Sequence, residues 1–272
     1  MKIRWGCGCR RGRMPDRELL RLAIDDSVAT VTLNRPDKLN ALTPEMLEQL
    51  SAAAARLDGD RQIRCVILTG AGDKAFCVGA DVHAWSALPP LEMWRSWVKR
   101  GHQVFDQWAR LRQPVIAAIN GHALGGGLEL AAASDIRIAC AGATFGLPEA
   151  SIATCPGWSG TQRLASLLGI AGVKWLALTG RRIDAEEAHR IGLIAEPAAT
   201  DALKRANEVA AQVCRLAPVA VQLTKQLIDA GQGDGLAVTL EAMAGALAAS
   251  TEDGREGRAS FAQKRAPQYK GH

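Results

Sequence analysis

Asn120-Gly121-His122-Ala123-Leu124-Gly125-Gly126-Gly127-Leu128-Glu129-Leu130-Ala131 is the stretch on which the fold turns. Three successive glycines let a backbone come close to whatever lies beside it, and the Leu- and Ala-rich run that follows reads as a short helix. The N-terminal amides of such a helix, with its dipole, favour negative charge developing in front of them. Taken alone, the stretch reads equally well as a packing turn. Glu129 tilts the balance, because a carboxylate in the first turns of an apolar, buried helix is costly without a partner or a task. A second carboxylate, Glu149, follows Phe145-Gly146-Leu147-Pro148 near a chain turn. Periodicity does not say whether the two converge.

Reading outward, residues 114–119 upstream and Ile136-Arg137-Ile138-Ala139 downstream have strand character, so strand, helix and strand follow in the order of a βαβ unit. Cys65-Val66-Ile67-Leu68 is a continuous apolar run suited to a strand buried on both faces. Residues 19–24 and 28–33 read as a hairpin turning at Asp25-Asp26-Ser27. Thr43 is a helix N-cap with Pro44 at the first helical position, and Met46, Leu47, Leu50, Ala54 and Leu57 repeat at helical spacing. From about Ala202 the apolar period is helical only, through Val209, Val213, Val219, Leu223 and Leu227. The expected division is a disordered basic extension at 1–13, an α/β body at 14–201 and a helical region at 202–272.

Composition narrows the function classes. Of 272 residues, 48% are hydrophobic and 22% charged, which is the balance of a soluble globular chain. Five of the 33 Lys and Arg residues lie in residues 1–13, which hold no acid, and the remainder is matched by the 28 Asp and Glu. The formal charge of +5 therefore does not indicate a nucleic-acid partner. The seven cysteines are scattered, with Cys7 and Cys9 the only close pair, and the five histidines show no metal-binding spacing, so no metal is expected. A reducing compartment fits this usage. No apolar run approaches the ~18 residues of a membrane helix, and with no secretory signal the expected location is cytoplasmic.

Two other motifs are set aside. Gly70-Ala71-Gly72-Asp73-Lys74-Ala75 formally fits a dinucleotide fingerprint, which requires a helix to begin at once. Phe76-Cys77-Val78-Gly79-Ala80-Asp81 looks extended instead, so a tight turn into a short strand is expected. Gly157-Trp158-Ser159-Gly160 suggests a serine nucleophile, but Thr161 stands where the elbow needs its second glycine, although sequence does not exclude a histidine partner.

At this point six blocks, in order, resemble the crotonase (enoyl-CoA hydratase/isomerase) superfamily from about Leu20 to the C-terminus. They are Asn34-Arg35-Pro36 with Leu39-Asn40-Ala41-Leu42; Phe76 with Gly79-Ala80-Asp81-Val82; Asn120 to Ala131; Phe145 to Glu149 with Pro156-Gly157 and Gly160-Thr161-Gln162-Arg163-Leu164; Thr179-Gly180 to Gly192-Leu193; and Thr251-Glu252-Asp253 to Lys264-Arg265. The resemblance implies an α/β spiral of ββα turns forming two stacked sheets. It also implies a C-terminal helical region that mediates trimer contacts, usually within a dimer of trimers.

The resemblance further implies an acyl-CoA substrate bound in bent form, with the CoA part of the substrate and no separate cofactor. The backbone N–H groups of Ala80 and Gly126 would bind the thioester oxygen. Glu129 would orient and activate water, and Glu149 would supply the proton to C2. Lys38, Leu39 and the segment Val78, Asp81, Val82 and His83 would lie beside CoA or substrate, as would Gly125, Pro148 and Trp158. Lys38 reads equally as a solvated turn residue.

Relatives that isomerise, dehalogenate or decarboxylate typically lack one of the two glutamates. The reaction implied is hydration of a trans-2-enoyl-CoA to a 3-hydroxyacyl-CoA. The alternatives are isomerisation, or hydration of a branched, aromatic or dicarboxylic acyl-CoA. A non-catalytic CoA-binding or RNA-associated scaffold fits poorly with both glutamates and both loops being kept. One departure is Trp158, which stands where a small residue is commoner and could narrow the acyl pocket. Trp85, Trp94, Trp97 and Trp108 crowd a segment that lines the acyl site in relatives, but they read first as core or trimer-face residues, with Trp94 and Trp97 sharing one helix face.

Overall fold

The computed structural model describes residues 18–198, 201–230 and 235–272, so the basic extension expected at 1–13 lies outside the described residues. In chain order the elements are β1 (Leu20–Asp25), β2 (Val28–Leu33), α1 (Pro44–Gly59), β3 (Cys65–Gly70), β4 (Ala75–Cys77), α2 (Val82–Trp85), α3 (Pro90–Glu92), a π-helical stretch (Met93–Val98) and α4 (Lys99–Ala109). There follow β5 (Val115–Ile119), β6 (His122–Leu124), α5 (Gly126–Ala132), β7 (Ile136–Cys140), β8 (Thr144–Gly146), α6 (Gly160–Thr179), β9 (Arg182–Asp184), α7 (Ala185–Arg190) and β10 (Glu196–Ala198). The chain ends in α8 (Ala202–Cys214), α9 (Pro218–Ala230), α10 (Gly235–Ser250) and α11 (Glu252–Gln263).

Among the described residues the strands form a six-stranded sheet, β1-β2-β3-β5-β7-β10, and a four-stranded sheet, β4-β6-β8-β9. Each turn of the chain lays one strand in each sheet: β3 then β4, β5 then β6, β7 then β8. All pairs are parallel except the β1–β2 hairpin and β8–β9. The hairpin turns through Asp26 at φ +50°, and the expected tight turn after Gly70 does lead into the short strand β4.

The all-apolar runs are buried on both faces, as their composition demands. In β3, Val66 and Leu68 enter the main core while Cys65 and Ile67 face the other way. In β5, Val115, Ala117 and Ile119 alternate in the same manner with Ile116 and Ala118. The second face is covered by α8, whose Ala202, Ala206 and Ala210 recur every four residues and let the helix lie close to the sheet. On the first face α1 begins where expected, the Thr43 hydroxyl accepting the Met46 N–H at 3.3 Å, and buries Met46, Leu47, Leu50, Ala54 and Leu57.

Candidate active site

Two backbone loops meet just past β4 and β6, which pair in the four-stranded sheet. Leu42 and Ala80 form an isolated parallel bridge in which Leu42 N–H donates to Gly79 C=O and Asp81 N–H to Leu42 C=O, both at 2.8 Å. Neither bond uses the N–H of Ala80. The other loop follows β6, where Gly125 at φ +53° turns the chain into α5 and its N–H donates to Gly146 C=O at 2.9 Å. Gly126 is the first residue of α5, so the helix offers its N–H no acceptor. A Cβ on Gly79 would stand 3.0 Å from the Gly126 nitrogen, and one on Gly126 would stand 3.5 Å from the Ala80 nitrogen. The two peptide N–H groups are therefore near neighbours, each outside its local backbone pattern.

Glu129 lies in the first turn of α5 and is only 2% exposed. Its Oε1 accepts two backbone N–H bonds, from Trp158 at 2.9 Å and Gly160 at 2.8 Å. That clasp depends on Gly160, where a Cβ would come within 2.2 Å of Glu129 Cγ. Burial raises the Glu129 pKa above the usual carboxylate value, and the N–H groups of Trp158, Gly160 and Gly157 oppose the rise.

Glu149 opens a 3₁₀ turn, Glu149–Ile152, directly after Pro148. Both of its carboxyl oxygens are buried without a hydrogen-bond partner, and a Cβ on Gly125 would lie 3.0 Å from its Oε1. Burial, opposed by its own backbone N–H and helped by the charge of Glu129, pushes its pKa up to about 7. The two carboxylates, 20 positions apart in sequence, line one cavity of about 120 Å³.

Of the residues expected at the site, Val78, Ala80, Val82, Gly125 and Gly126 line this cavity. So do Glu129, Pro148, Glu149 and Trp158. Four do not. Lys38 is exposed on a single 3₁₀ turn, and Leu39 beside it, at φ +50°, accepts the Val78 N–H at 3.2 Å, which ties that turn to the first loop. The Asp81 carboxylate is spent elsewhere: it pairs with Arg35 at 2.7 Å and caps α2 by accepting the His83 N–H at 3.0 Å. Burial would raise the Asp81 pKa, but the Arg35 guanidinium holds it below the usual value. His83 is exposed outside the lining.

Sequence reasoning missed part of the wall. Met93, Trp97 and Val98 line the cavity, as do Ile152, Thr154 and Cys155. Met93, Trp97 and Val98 stand at i, i+4 and i+5, the stripe that stacks in a π-helix with its i→i+5 bonds. The expectation that Trp94 and Trp97 share a face assumed α-helical spacing and is corrected here, since Trp97 is buried and Trp94 is 66% exposed. Trp108 is core, its indole N–H donating to Leu50 C=O at 3.1 Å, whereas Trp85 lines the cavity. A π-helical segment has no sequence period that marks it.

Ser159 does have a histidine neighbour. Its hydroxyl and His102 Nδ1 lie 2.6 Å apart, and His102 Nε2 is 3.4 Å from Asp106, which also pairs with Arg163. Neither Ser159 nor His102 lines the cavity, and the contact joins α4 to the start of α6 on the outer side. Among the described residues no group of three or more His, Cys, Asp or Glu side chains is placed to hold a metal ion, and no helix is long and apolar enough to cross a membrane.

A profile of the enoyl-CoA hydratase/isomerase family matches residues 23–272. The short-chain-enoyl-CoA hydratase of Clostridium acetobutylicum is 41% identical over 246 residues, covering 89% of this chain and 93% of that protein. The (E)-benzylidenesuccinyl-CoA hydratase of Thauera aromatica is 39% identical over 92% of this chain and 98% of its own length. The crystal structure of enoyl-CoA hydratase from Bacillus anthracis superposes with a TM-score of 0.90 at 38% identity, covering 94% of this chain and all of that one. With its two-sheet spiral and a family match over nearly its whole length, this chain belongs to the enoyl-CoA hydratase/isomerase family and has the crotonase fold.

Proposed function

We propose that this chain adds water reversibly across the double bond of a trans-2-enoyl-CoA, giving a 3-hydroxyacyl-CoA, with Glu129 and Glu149 as the proton-handling groups. The observation that carries the reading is Glu149: its two carboxyl oxygens are buried and unpartnered in the same cavity as a fixed carboxylate, and its proton is held to about neutral pH. Such a group is poised to give and take a proton near pH 7.

In this mechanism the thioester oxygen accepts the N–H groups of Ala80 and Gly126. Attack of water at C3 moves the double-bond electrons onto that oxygen, so the donors hold the enolate more tightly than the starting carbonyl. Loss of one such donor costs ~3 kcal/mol. Glu129, its Oε1 already fixed by two N–H bonds, takes the water proton on its other oxygen. Glu149 delivers its own proton to C2 and recovers one from water, to which Glu129 gives up the proton it took, so both groups are restored for the next turnover; in the reverse direction the roles exchange. Addition of water changes no oxidation state, so this chemistry needs no redox group.

The CoA moiety is assigned to the loop Val78–His83 with Lys38 and Leu39, the Asp81 contribution being backbone because its carboxylate serves Arg35. Self-association as a trimer or dimer of trimers is supported by large apolar side chains left exposed on the C-terminal helices, among them Met243, Leu247 and Phe261. Free thiols at Cys65, Cys77, Cys140, Cys155 and Cys214 support a cytoplasmic setting.

The test is loss of the ultraviolet band of a conjugated enoyl-CoA. It should disappear with wild type and persist with Glu129→Gln and with Glu149→Gln, both folded. Near-normal turnover in both variants would defeat the mechanism, and a product with a shifted double bond in place of a hydroxyl would favour isomerisation.

A further inference from the structure

We infer that Trp158 fixes the acyl specificity of the site, restricting it to short, uncharged 2-enoyl groups; this rests on the hydratase reading above. The indole lies directly behind the glycine assigned to the thioester oxygen, since a Cβ on Gly126 would stand 2.9 Å from its Cε3 and Cζ3. Its other edge reaches α4, where a Cβ on Gly101 would stand 2.1 Å from Nε1. The ring thus spans the space just beyond the carbonyl anchor, in which a longer acyl chain would have to run.

That ring is not free to move aside. Trp97 and Phe105 hold it with ring centroids 5.2 Å away on each contact, the second edge-on. Its own backbone N–H is bonded to Glu129, and the residue is 3% exposed. What remains is a cavity of about 120 Å³.

Charge narrows the class further. Met93, Val98 and Ile152 make the wall apolar, and none of the described lining residues is Lys, Arg or His. A carboxylate at the end of the acyl group would be desolvated beside Glu129 and Glu149 with no cation to meet it. The preference inferred here differs from the acyl group named for the Thauera relative.

The experiment compares kcat/KM for straight-chain 2-enoyl-CoA substrates from four to ten carbons in wild type and Trp158→Ala. Wild type should favour four carbons over ten by about tenfold or more, and the substitution should raise the ten-to-four ratio by about tenfold. The ratio is the readout because a general loss through Glu129 cancels in it. Glutaconyl-CoA, which ends in a carboxylate, should be turned over by wild type about a hundredfold less well than 2-pentenoyl-CoA.

An unchanged ratio alongside good four-carbon turnover overturns the inference and leaves the hydratase reading standing. Parity of the two five-carbon substrates overturns the charge selectivity. Failure of wild type on every enoyl-CoA sinks the hydratase reading, and this inference with it. If Trp158→Ala does not fold, the wild-type profile decides, and a profile level out to ten carbons is a refutation.

Discussion

Glu129 and Glu149 line one cavity in opposite hydrogen-bonding states: Glu129 Oε1 is held by two backbone N–H groups, and neither oxygen of Glu149 has a partner. Their protons are shared business, because burial first and the Glu129 charge after it together raise the Glu149 pKa to about 7. The pair will titrate with apparent values that belong to both. A proton donor to C2 must carry its proton, so kcat/KM for hydration should fall as pH rises through about 7. A level profile from about pH 6 to about pH 9 would contradict this assignment.

The same raised value has a consequence for stability, of definite sign. Between the ordinary glutamate value of 4.5 and about 7 the folded chain binds more protons at Glu149 than the unfolded chain. Stability from this group is therefore present at acid pH and is lost as pH rises through that window. Glu149→Gln removes the cost of the buried charge and should stabilise the fold above neutral pH by about 1 kcal/mol, with little gain in mild acid. Urea titrations of both proteins on either side of neutrality would measure the difference.

Gly160→Ala tests how Glu129 is held. The added methyl would meet Glu129 Cγ at 2.2 Å, too close to be absorbed without moving the carboxylate. Turnover should drop by about a hundredfold or more while the circular dichroism spectrum is kept, as expected when a catalytic group is displaced by about an ångström. Ser159→Ala, one residue earlier and outside the cavity lining, should leave turnover within about twofold, the usual range for a surface change with no catalytic part.

Asn40 is a structural member of the motif between Asn34 and Leu42. It is fully buried at φ +56°, its amide donates to Ala71 C=O at 3.0 Å and Ala75 C=O at 2.8 Å, and its Oδ1 accepts the Arg35 N–H at 2.9 Å. Asn40→Ala should cost ~2–4 kcal/mol in denaturant unfolding, because one buried and two half-buried backbone groups lose this partner and the left-handed backbone suits Asn better than Ala.

Much of the fold was legible because its signals are local. The apolar run at Cys65, the cap at Thr43 and the hairpin at Asp26 each specify their element through nearest neighbours, and all three stand where expected. Glu129 was legible as a cost, a carboxylate in an apolar helix. Its meeting with Glu149 was not, because convergence depends on how successive turns of the spiral stack, and only family resemblance suggested it. Trp97 and Trp94 were misplaced relative to each other because a π-helix carries no period of its own in sequence. The engagement of Asp81 by Arg35 was hidden for a similar reason, the partners being 46 positions apart.

The contact between Gly101 and Trp158 also constrains ancestry. With the indole in place, any side chain at position 101 would put a carbon 2.1 Å from Nε1, so that glycine is frozen while the tryptophan stands. The reverse order is open, because shrinking Trp158 first releases its neighbour. Descendants of this protein can therefore leave the present arrangement through one door only, and a homologue bearing both a bulky residue at the first position and tryptophan at the second should not be found folded in this way.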